Sequence, residues 1–270
     1  MPAAPVIKTA PTHWNIPPKE QSGNIELRDR NTARAKGATA LWVARPTEPK
    51  ERELIKILHE TCAQMQIPIP KLLIYASSKP NAFSATYTGS LMFGTNLLDI
   101  MTHDEVKAIM GHELTHHINR KQDFIHDFIE GSVLLAGYLL IRDQLSKLAT
   151  KPWVKTTIKI VGDTAAMIGD IALTLWHKRA REYRSDLGGA QVAGTEAMIS
   201  GLNTLEHRIR EIQQQEKHQG KKHRPLPAFL RDHPDNRHRI ANLIAHPSSS
   251  FANKHQMESA ANVSAPAIAR

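Results

Sequence analysis

This 270-residue sequence has one cysteine and few aromatic residues, and its first residues form no apolar segment. The single cysteine, Cys62, rules out an intrachain disulfide bond and is typical of proteins from reducing compartments. The segment Met1–Lys8 lacks the apolar core of a secretory signal peptide. We therefore expect a cytoplasmic protein, with a peripheral or other membrane association left open.

A net charge of +9 is the feature that most favours a nucleic-acid partner. The basic residues are spread along the chain, however, with one small cluster at Lys221–Arg224, and aromatic residues do not alternate with them. Neither zinc-finger spacing nor a recognition-helix pattern accompanies them. We predict no specific nucleic-acid binding, only weak attraction to acidic surfaces such as membranes.

The sequence His-Glu-Leu-Thr-His, which begins at His112, carries the clearest chemical signal. On a helix, His112 and His116 project from one face and can reach the same metal ion, and Glu113 can serve as general base for a metal-activated water. Thr102 and Glu105 form a predicted capping box at the start of this helix. Because the chain has 15 histidines, the motif could also arise by chance on a surface helix.

A carboxylate that could complete the site lies 66 residues beyond His116, at Glu182. Two histidines and one glutamate leave the fourth position of a zinc site open for water. Asp186, one helical turn further, could orient a ligating imidazole by accepting a hydrogen bond from its other nitrogen. A surface helix in which Glu182 and Asp186 pair with Arg181 and Arg184 fits the spacing equally well.

The pattern of the whole chain predicts an α+β fold that is mainly helical, with a small β-sheet before the motif helix. Residues 1–24 are rich in proline and predicted to be an irregular arm, and residues 247–270 a disordered tail. Between them, residues 25–246 are expected to form one domain. Strands are predicted at Leu72–Ala76, Phe83–Tyr87 and Ser90–Leu97.

Two long apolar stretches, Phe124–Ile141 and Val154–Trp176, predict a helical hairpin within residues 124–176, ahead of the third-ligand helix. Both contain charged residues, so neither is uninterrupted enough for a membrane span. In the second stretch, Lys159, Asp163 and Asp170 recur at helical spacing and form a polar stripe. The sequence therefore predicts a soluble hairpin, with membrane association as the alternative.

Four motifs in order give the chain a family resemblance: Asn81-Ala82-Phe83, the His112–His116 motif, Arg181–Asp186, and His233-Pro234 followed by Arg239-Ile240-Ala241. In this order they resemble the HtpX-like and CAAX-prenyl-protease-like zinc metallopeptidases of the gluzincin group. The resemblance implies a gluzincin-type fold and a zinc metalloendopeptidase with one Zn²⁺ per chain. The hairpin of this chain contains charged residues, and in this it differs from family members that have clear transmembrane helices.

The resemblance also implies roles for individual residues. His112, His116 and Glu182 would bind zinc, Glu113 would act as base, and Asp186 would support the ligands. His233 would stabilise the oxyanion, and Arg239 would form a structural ion pair or share that stabilisation.

The implied substrate is a protein or peptide. It would lie extended along Ser90–Leu97, close to Asn81, Ala82 and Phe83. The alternative is a non-catalytic or peripheral-membrane binding protein built on the same fold.

Overall fold

The computed structural model describes residues 25–77, 79–85, 88–220 and 235–247. Its elements are α1 (Leu27–Ala35), β1 (Ala40–Val43), α2 (Pro49–Met65), β2 (Leu72–Ala76), β3 (Ala82–Ala85), β4 (Ser90–Gly94), α3 (Leu97–Ile100), α4 (His103–Leu148), α5 (Pro152–Ala193), α6 (Thr195–His218) and α7 (Asn236–Ala245). This confirms the α+β class with helices predominating. His233, the predicted arm 1–24, and the predicted tail apart from Pro247 lie outside the described residues.

The sheet has the strand order β1-β2-β4-β3, with β2 and β4 parallel and the outer pairs antiparallel. Every residue of β2 and β4 is buried, which is why these strands read as continuous apolar runs. The predicted strand Ser90–Leu97 is shorter than expected, because it ends at Gly94 and Leu97 begins α3. The strand predicted at Phe83–Tyr87 begins one residue earlier, at Ala82, and residues 86–87 are not described.

The sheet packs with α2 and the first turns of α4 around one hydrophobic core. The predicted capping box starts α4, since the Glu105 N–H donates to Thr102 Oγ1 at 3.3 Å and the Thr102 N–H donates to the Glu105 carboxylate at 2.7 Å. Cys62 is buried in this core, and burial raises the pKa of its thiol to about 11. The thiol is therefore a packing group rather than a nucleophile.

The helical hairpin is formed by the continuous helices α4 and α5, of 46 and 42 residues. Near the metal motif the two backbones approach closely at Gly188 and Gly189. A Cβ atom at Gly188 would lie 1.9 Å from Thr115 Oγ1, and one at Gly189 would lie 2.5 Å from the Ala108 carbonyl oxygen. Only glycine fits at these two positions, so α5 can approach α4 as it does only because of them.

The outer hairpin exposes a large apolar surface. Helix α4 is long and apolar enough to cross a membrane, and none of its 18-residue apolar window is buried. In the polar stripe of α5, the exposed Asp163 pairs with Tyr138 and Arg142 of α4 across the hairpin. Exposed large side chains include Phe128, Leu140, Leu148, Trp153, Val161 and Trp176.

Candidate metal centre

His112, His116 and Glu182 converge where α4 and α5 pack together. The Nε2 atoms of the two histidines are 3.2 Å apart. Glu182 places Oε1 3.2 Å from Nε2 of His116 and Oε2 3.7 Å from Nε2 of His112. The structure therefore brings the three predicted ligands together, and it excludes the alternative of a solvated surface helix for Glu182, which is only 6% exposed.

These separations fit one metal ion. Nitrogen and oxygen ligands about 2.0–2.2 Å from a tetrahedral zinc lie roughly 3.4 Å from one another. The ligand atoms of His112, His116 and Glu182 all lie within 4.8 Å of one another, and two imidazoles with one carboxylate are a donor set that zinc accepts. A cation between the two Nε2 atoms also satisfies lone pairs that would otherwise repel at 3.2 Å.

A buried chain of hydrogen bonds orients His112. Asp186, fully buried, lies 2.9 Å from Nδ1 of His112, and Arg239 on α7 donates from Nε to the second Asp186 oxygen at 2.8 Å. An ionised carboxylate only accepts hydrogen bonds, so Nδ1 of His112 carries the proton and Nε2 presents its lone pair to the metal position.

The charges around the centre favour a cation. Burial would raise the pKa of Asp186, but hydrogen bonds from Arg239 and His112 hold it below its ordinary value, so the carboxylate is ionised. Burial would lower the pKa of His116, but the hydrogen bond with Glu182 and the charge of Glu113 raise it. Carboxylates outnumber cationic side chains at this centre, and a divalent ion would neutralise the excess negative charge.

Glu113 and His116 line a cleft of about 330 Å³ whose opposite wall is β3. Ala82, Phe83 and Ser84 of this strand face the cleft, so the predicted Asn81–Phe83 segment does border the site. Asn81 is fixed there because its carbonyl oxygen accepts hydrogen bonds from the Gly94 N–H at 2.9 Å and the Tyr75 hydroxyl at 2.5 Å.

His117 is excluded from the ligand set, as its position one residue after His116 predicts. Its ring nitrogens lie 3.0 Å from Nη1 of Arg120 instead. Burial and the charge of Arg120 lower the pKa of His117 to about 4, so its ring is neutral at pH 7.

Comparison with protein families places this site in a known context. The sequence model of peptidase family M48 matches residues 48–246. The chain belongs to this family. The match spans the capping box, the metal motif, Glu182 with Asp186, and α7, and it confirms the resemblance drawn from the motifs.

Related proteins within the family carry the name HtpX. Protease HtpX from Nitrosococcus oceani is 30% identical over 174 residues, which cover 60% of this chain and 59% of the relative. Protease HtpX from Actinobacillus pleuropneumoniae is 32% identical over 179 residues, or 61% of each chain. A protease HtpX homolog from Neisseria meningitidis is 30% identical over 211 residues, covering 73% of this chain and 74% of the relative. The chain thus spans about three fifths of the length of the first two relatives.

Among solved structures, the crystal structure of S. mikatae Ste24p matches with a TM-score of 0.48 and 13% identity. The match covers 75% of this chain and 51% of that chain.

One predicted substrate position is wrong in the structure. Strand β4, the core of the predicted Ser90–Leu97 segment, is hydrogen-bonded to β2 on one side and β3 on the other. It therefore has no free edge for an added peptide strand. The edge beside the cleft belongs to β3, which within the described residues pairs only with β4.

Some residues of the site were not predicted from the sequence. The Gly188-Gly189 pair that follows Asp186 allows the close approach of α5, and a glycine pair inside a helical pattern is a signal that could have indicated it. Arg120 and Asp123 also line the cleft, and no local pattern distinguishes them from other charged surface residues.

Proposed function

We propose that this M48 chain is a zinc-dependent endopeptidase with one catalytic Zn²⁺ held by His112, His116 and Glu182. The observation that carries this proposal is the convergence of those three ligand side chains beside Glu113 in one cleft. A purely structural zinc site has four protein ligands and no use for an adjacent carboxylate. Three ligands with a neighbouring glutamate favour catalysis over the non-catalytic binding protein.

When bound, zinc supplies Lewis acidity and brings the pKa of water close to neutrality. Glu113, 8% exposed and directly beside a ligand in sequence, takes the proton of the attacking water on a carboxylate oxygen. It then transfers this proton to the nitrogen of the leaving amine. Asp186 and Arg239 keep the His112 ring in its ligating tautomer throughout.

The substrate is proposed to be an extended protein segment that adds to the free edge of β3. Hydrogen-bonded residue pairs alternate along an antiparallel ladder. Because Asn81 accepts from Gly94 towards β4, the backbone groups of Ala82 and Ser84 point to the other side. These groups face the cleft that Glu113 lines, so an added strand would pass the metal centre.

The hairpin is proposed to insert into a membrane. A soluble core helix would bury its apolar window, whereas none of the window of α4 is buried. Trp153 and Trp176, both exposed, lie roughly 35 Å apart along α5 at 1.5 Å per residue. This spacing suits aromatic residues at the two interfaces of a bilayer. Lys147, Lys151 and Lys155 cluster at the hairpin tip, where acidic headgroups would attract them.

The test is Glu113→Gln in the full chain, purified in detergent and assayed on unfolded casein. Removal of a general base should lower kcat roughly 10²- to 10⁴-fold. Zinc content, measured by mass spectrometry, should stay unchanged, and Glu60→Gln on the solvent face of α2 serves as the matched control. Full activity of Glu113→Gln would refute the base.

A second variant tests the metal centre separately. Glu182→Ala should lower zinc content as well as activity, because it removes a ligand. Wild-type protein that binds zinc at this centre but cleaves no unfolded protein would favour the non-catalytic alternative.

A further inference from the structure

A second cluster of histidine and carboxylate side chains lies at the base of the hairpin, outside the centre described above. His126, Asp127 and Glu130 come from α4, and His177 comes from α5. His126, Asp127 and His177 offer ligand atoms that all lie within 4.8 Å of one another. No step proposed for peptide hydrolysis uses these residues.

We propose that this cluster binds a second divalent transition-metal ion, such as Zn²⁺, through both imidazoles and a carboxylate. His177 lies between two carboxylates, with Nδ1 3.4 Å from Asp127 Oδ1 and Nε2 3.3 Å from Glu130 Oε2. His126 places Nδ1 3.4 Å from the same Glu130 oxygen. An imidazole binds one ion through one nitrogen, so Glu130 Oε2, close to Nδ1 of His126 and Nε2 of His177, would be the carboxylate ligand. Asp127 would hold Nδ1 of His177. The two spacings to Glu130 match the roughly 3.4 Å between ligands around a tetrahedral ion.

The cluster repeats an arrangement found at the first centre. Arg181 Nη1 donates to Asp127 Oδ2 at 2.7 Å, which leaves Oδ1 directed at His177. The order arginine, aspartate, histidine is the same as in Arg239, Asp186 and His112. A carboxylate held by arginine fixes the orientation of an imidazole, as the support of a metal ligand requires.

An ordinary network of ion pairs explains the cluster less well. Its side chains contain two carboxylates and one guanidinium, so with neutral imidazoles the cluster has an excess negative charge. Glu130 Oε2 is inaccessible to solvent, and among the described residues no hydrogen bond reaches it. Nδ1 of His126 and Nε2 of His177 lie 3.4 and 3.3 Å from this oxygen without a hydrogen bond to it. A cation bound between the three atoms would give each of them a partner.

The second site is separate from the first. His126 lies roughly 15 Å from His116 along α4 at 1.5 Å per residue, so one ion cannot serve both. An ion here would join α4 to α5 where the hairpin leaves the core. Because Asp127 and Arg181 also line the cleft, it would hold one cleft wall in place. The proposal does not depend on whether the first centre is catalytic.

The test is metal stoichiometry of the full chain in detergent, in a Glu113→Gln background that prevents self-cleavage. After equilibration with Zn²⁺ and dialysis, the parent should retain about two ions per chain, and His126→Ala/His177→Ala about one. His207→Ala, which removes an exposed histidine, is the matched control and should match the parent. His112→Ala/His116→Ala should also retain about one ion.

An unchanged stoichiometry in His126→Ala/His177→Ala, with the parent at either one or two ions, would overturn the proposal. If that variant loses all metal through misfolding, Asp127→Asn/Glu130→Gln decides, because it preserves side-chain shape. This variant should weaken Zn²⁺ binding to the second site at least roughly 10- to 100-fold, and retention of the parent's affinity and stoichiometry would also refute the site.

Discussion

Arg239 holds Asp186 through two parallel hydrogen bonds, from Nε to Oδ2 at 2.8 Å and from Nη2 to Oδ1. Asp186 in turn accepts from His112, so one buried carboxylate joins α7, α5 and α4. This geometry favours a positioning role for Arg239, which would act on a bound metal through Asp186 and His112.

Arg239→Met should lower the free energy of unfolding by about 3–5 kcal/mol, because it leaves the Asp186 carboxylate buried without its cationic partner. Metal affinity should fall roughly 10- to 100-fold as His112 loses its orientation. Urea unfolding and zinc titration measure the two effects. Arg237→Met, on the exposed face of α7, is the control and should change stability by less than about 0.5 kcal/mol. A stable Arg239→Met variant with normal zinc affinity would contradict this role.

Gly189→Ala tests the close approach of α4 and α5. Its new Cβ would lie 2.5 Å from the Ala108 carbonyl oxygen and 2.7 Å from Met198 Sδ, so the helices must separate. We expect a loss of at least about 1–3 kcal/mol in unfolding free energy and a lower zinc content, since Glu182 moves with α5. Gly169→Ala, on the same helix with open space around it, should have a neutral or stabilising effect of up to about 1 kcal/mol. Equal melting temperatures for the two variants would count against the packing argument.

The two candidate histidine ligands could be predicted from local geometry, whereas the third, Glu182, lies 66 residues further on and followed from the family resemblance. Two histidines four residues apart share a helix face whatever surrounds the helix, and Asp186 shares the face of Glu182 for the same reason. The order of strands is not local information. Nothing in the sequence of β4 indicates that β3 pairs outside it, so the predicted substrate strand was placed beside a strand that has no free edge. The contacts across the hairpin are not local information either, since Asp163, although half exposed, pairs with Tyr138 and Arg142 on the other arm.

The capping-box residue Glu105 should make the stability of the fold depend on pH. Burial would raise the pKa of Glu105, but hydrogen bonds from Ser200, Thr102 and Thr204 lower it below its ordinary value. A carboxylate with a lowered folded-state pKa stabilises the fold above its unfolded pKa of about 4.3, and this stabilisation disappears as pH falls through the folded value. Glu105→Gln should therefore be less stable than wild type at pH 7, with the difference shrinking below about pH 4.

Chemical unfolding between pH 3 and pH 7 measures this difference. Asp104→Asn is the control, because Asp104 lies in the same first turn but its side chain is 76% exposed. Its effect should be small at every pH. A Glu105→Gln deficit that stays constant with pH would show that the carboxylate charge is not what stabilises the helix start.

Insertion of the hairpin predicts that a charge on its apolar surface weakens membrane binding. Leu140, 68% exposed on α4, would enter the bilayer. Asp near the centre of a membrane helix costs about 2.5–3.5 kcal/mol. Leu140→Asp should therefore reduce flotation with phosphatidylglycerol-containing vesicles, whereas Leu27→Asp on α1, equally exposed, should not. Wild-type protein that stays at the bottom of the gradient would exclude insertion.

Removal of one backbone N–H tests substrate addition to β3. The N–H of Ser84 points away from β4, so Ser84→Pro leaves the ladder with β4 intact but deletes a donor for an added strand. The preceding Phe83 is already extended, as a residue before proline should be. Ser84→Ala keeps the N–H and is the control at the same position. We expect Ser84→Pro to lower kcat/KM for unfolded casein roughly tenfold, the value of one hydrogen bond of about 1–1.5 kcal/mol, and Ser84→Ala to leave it unchanged. Equal losses in both variants would place the requirement in the side chain, and no loss in either would place the substrate elsewhere.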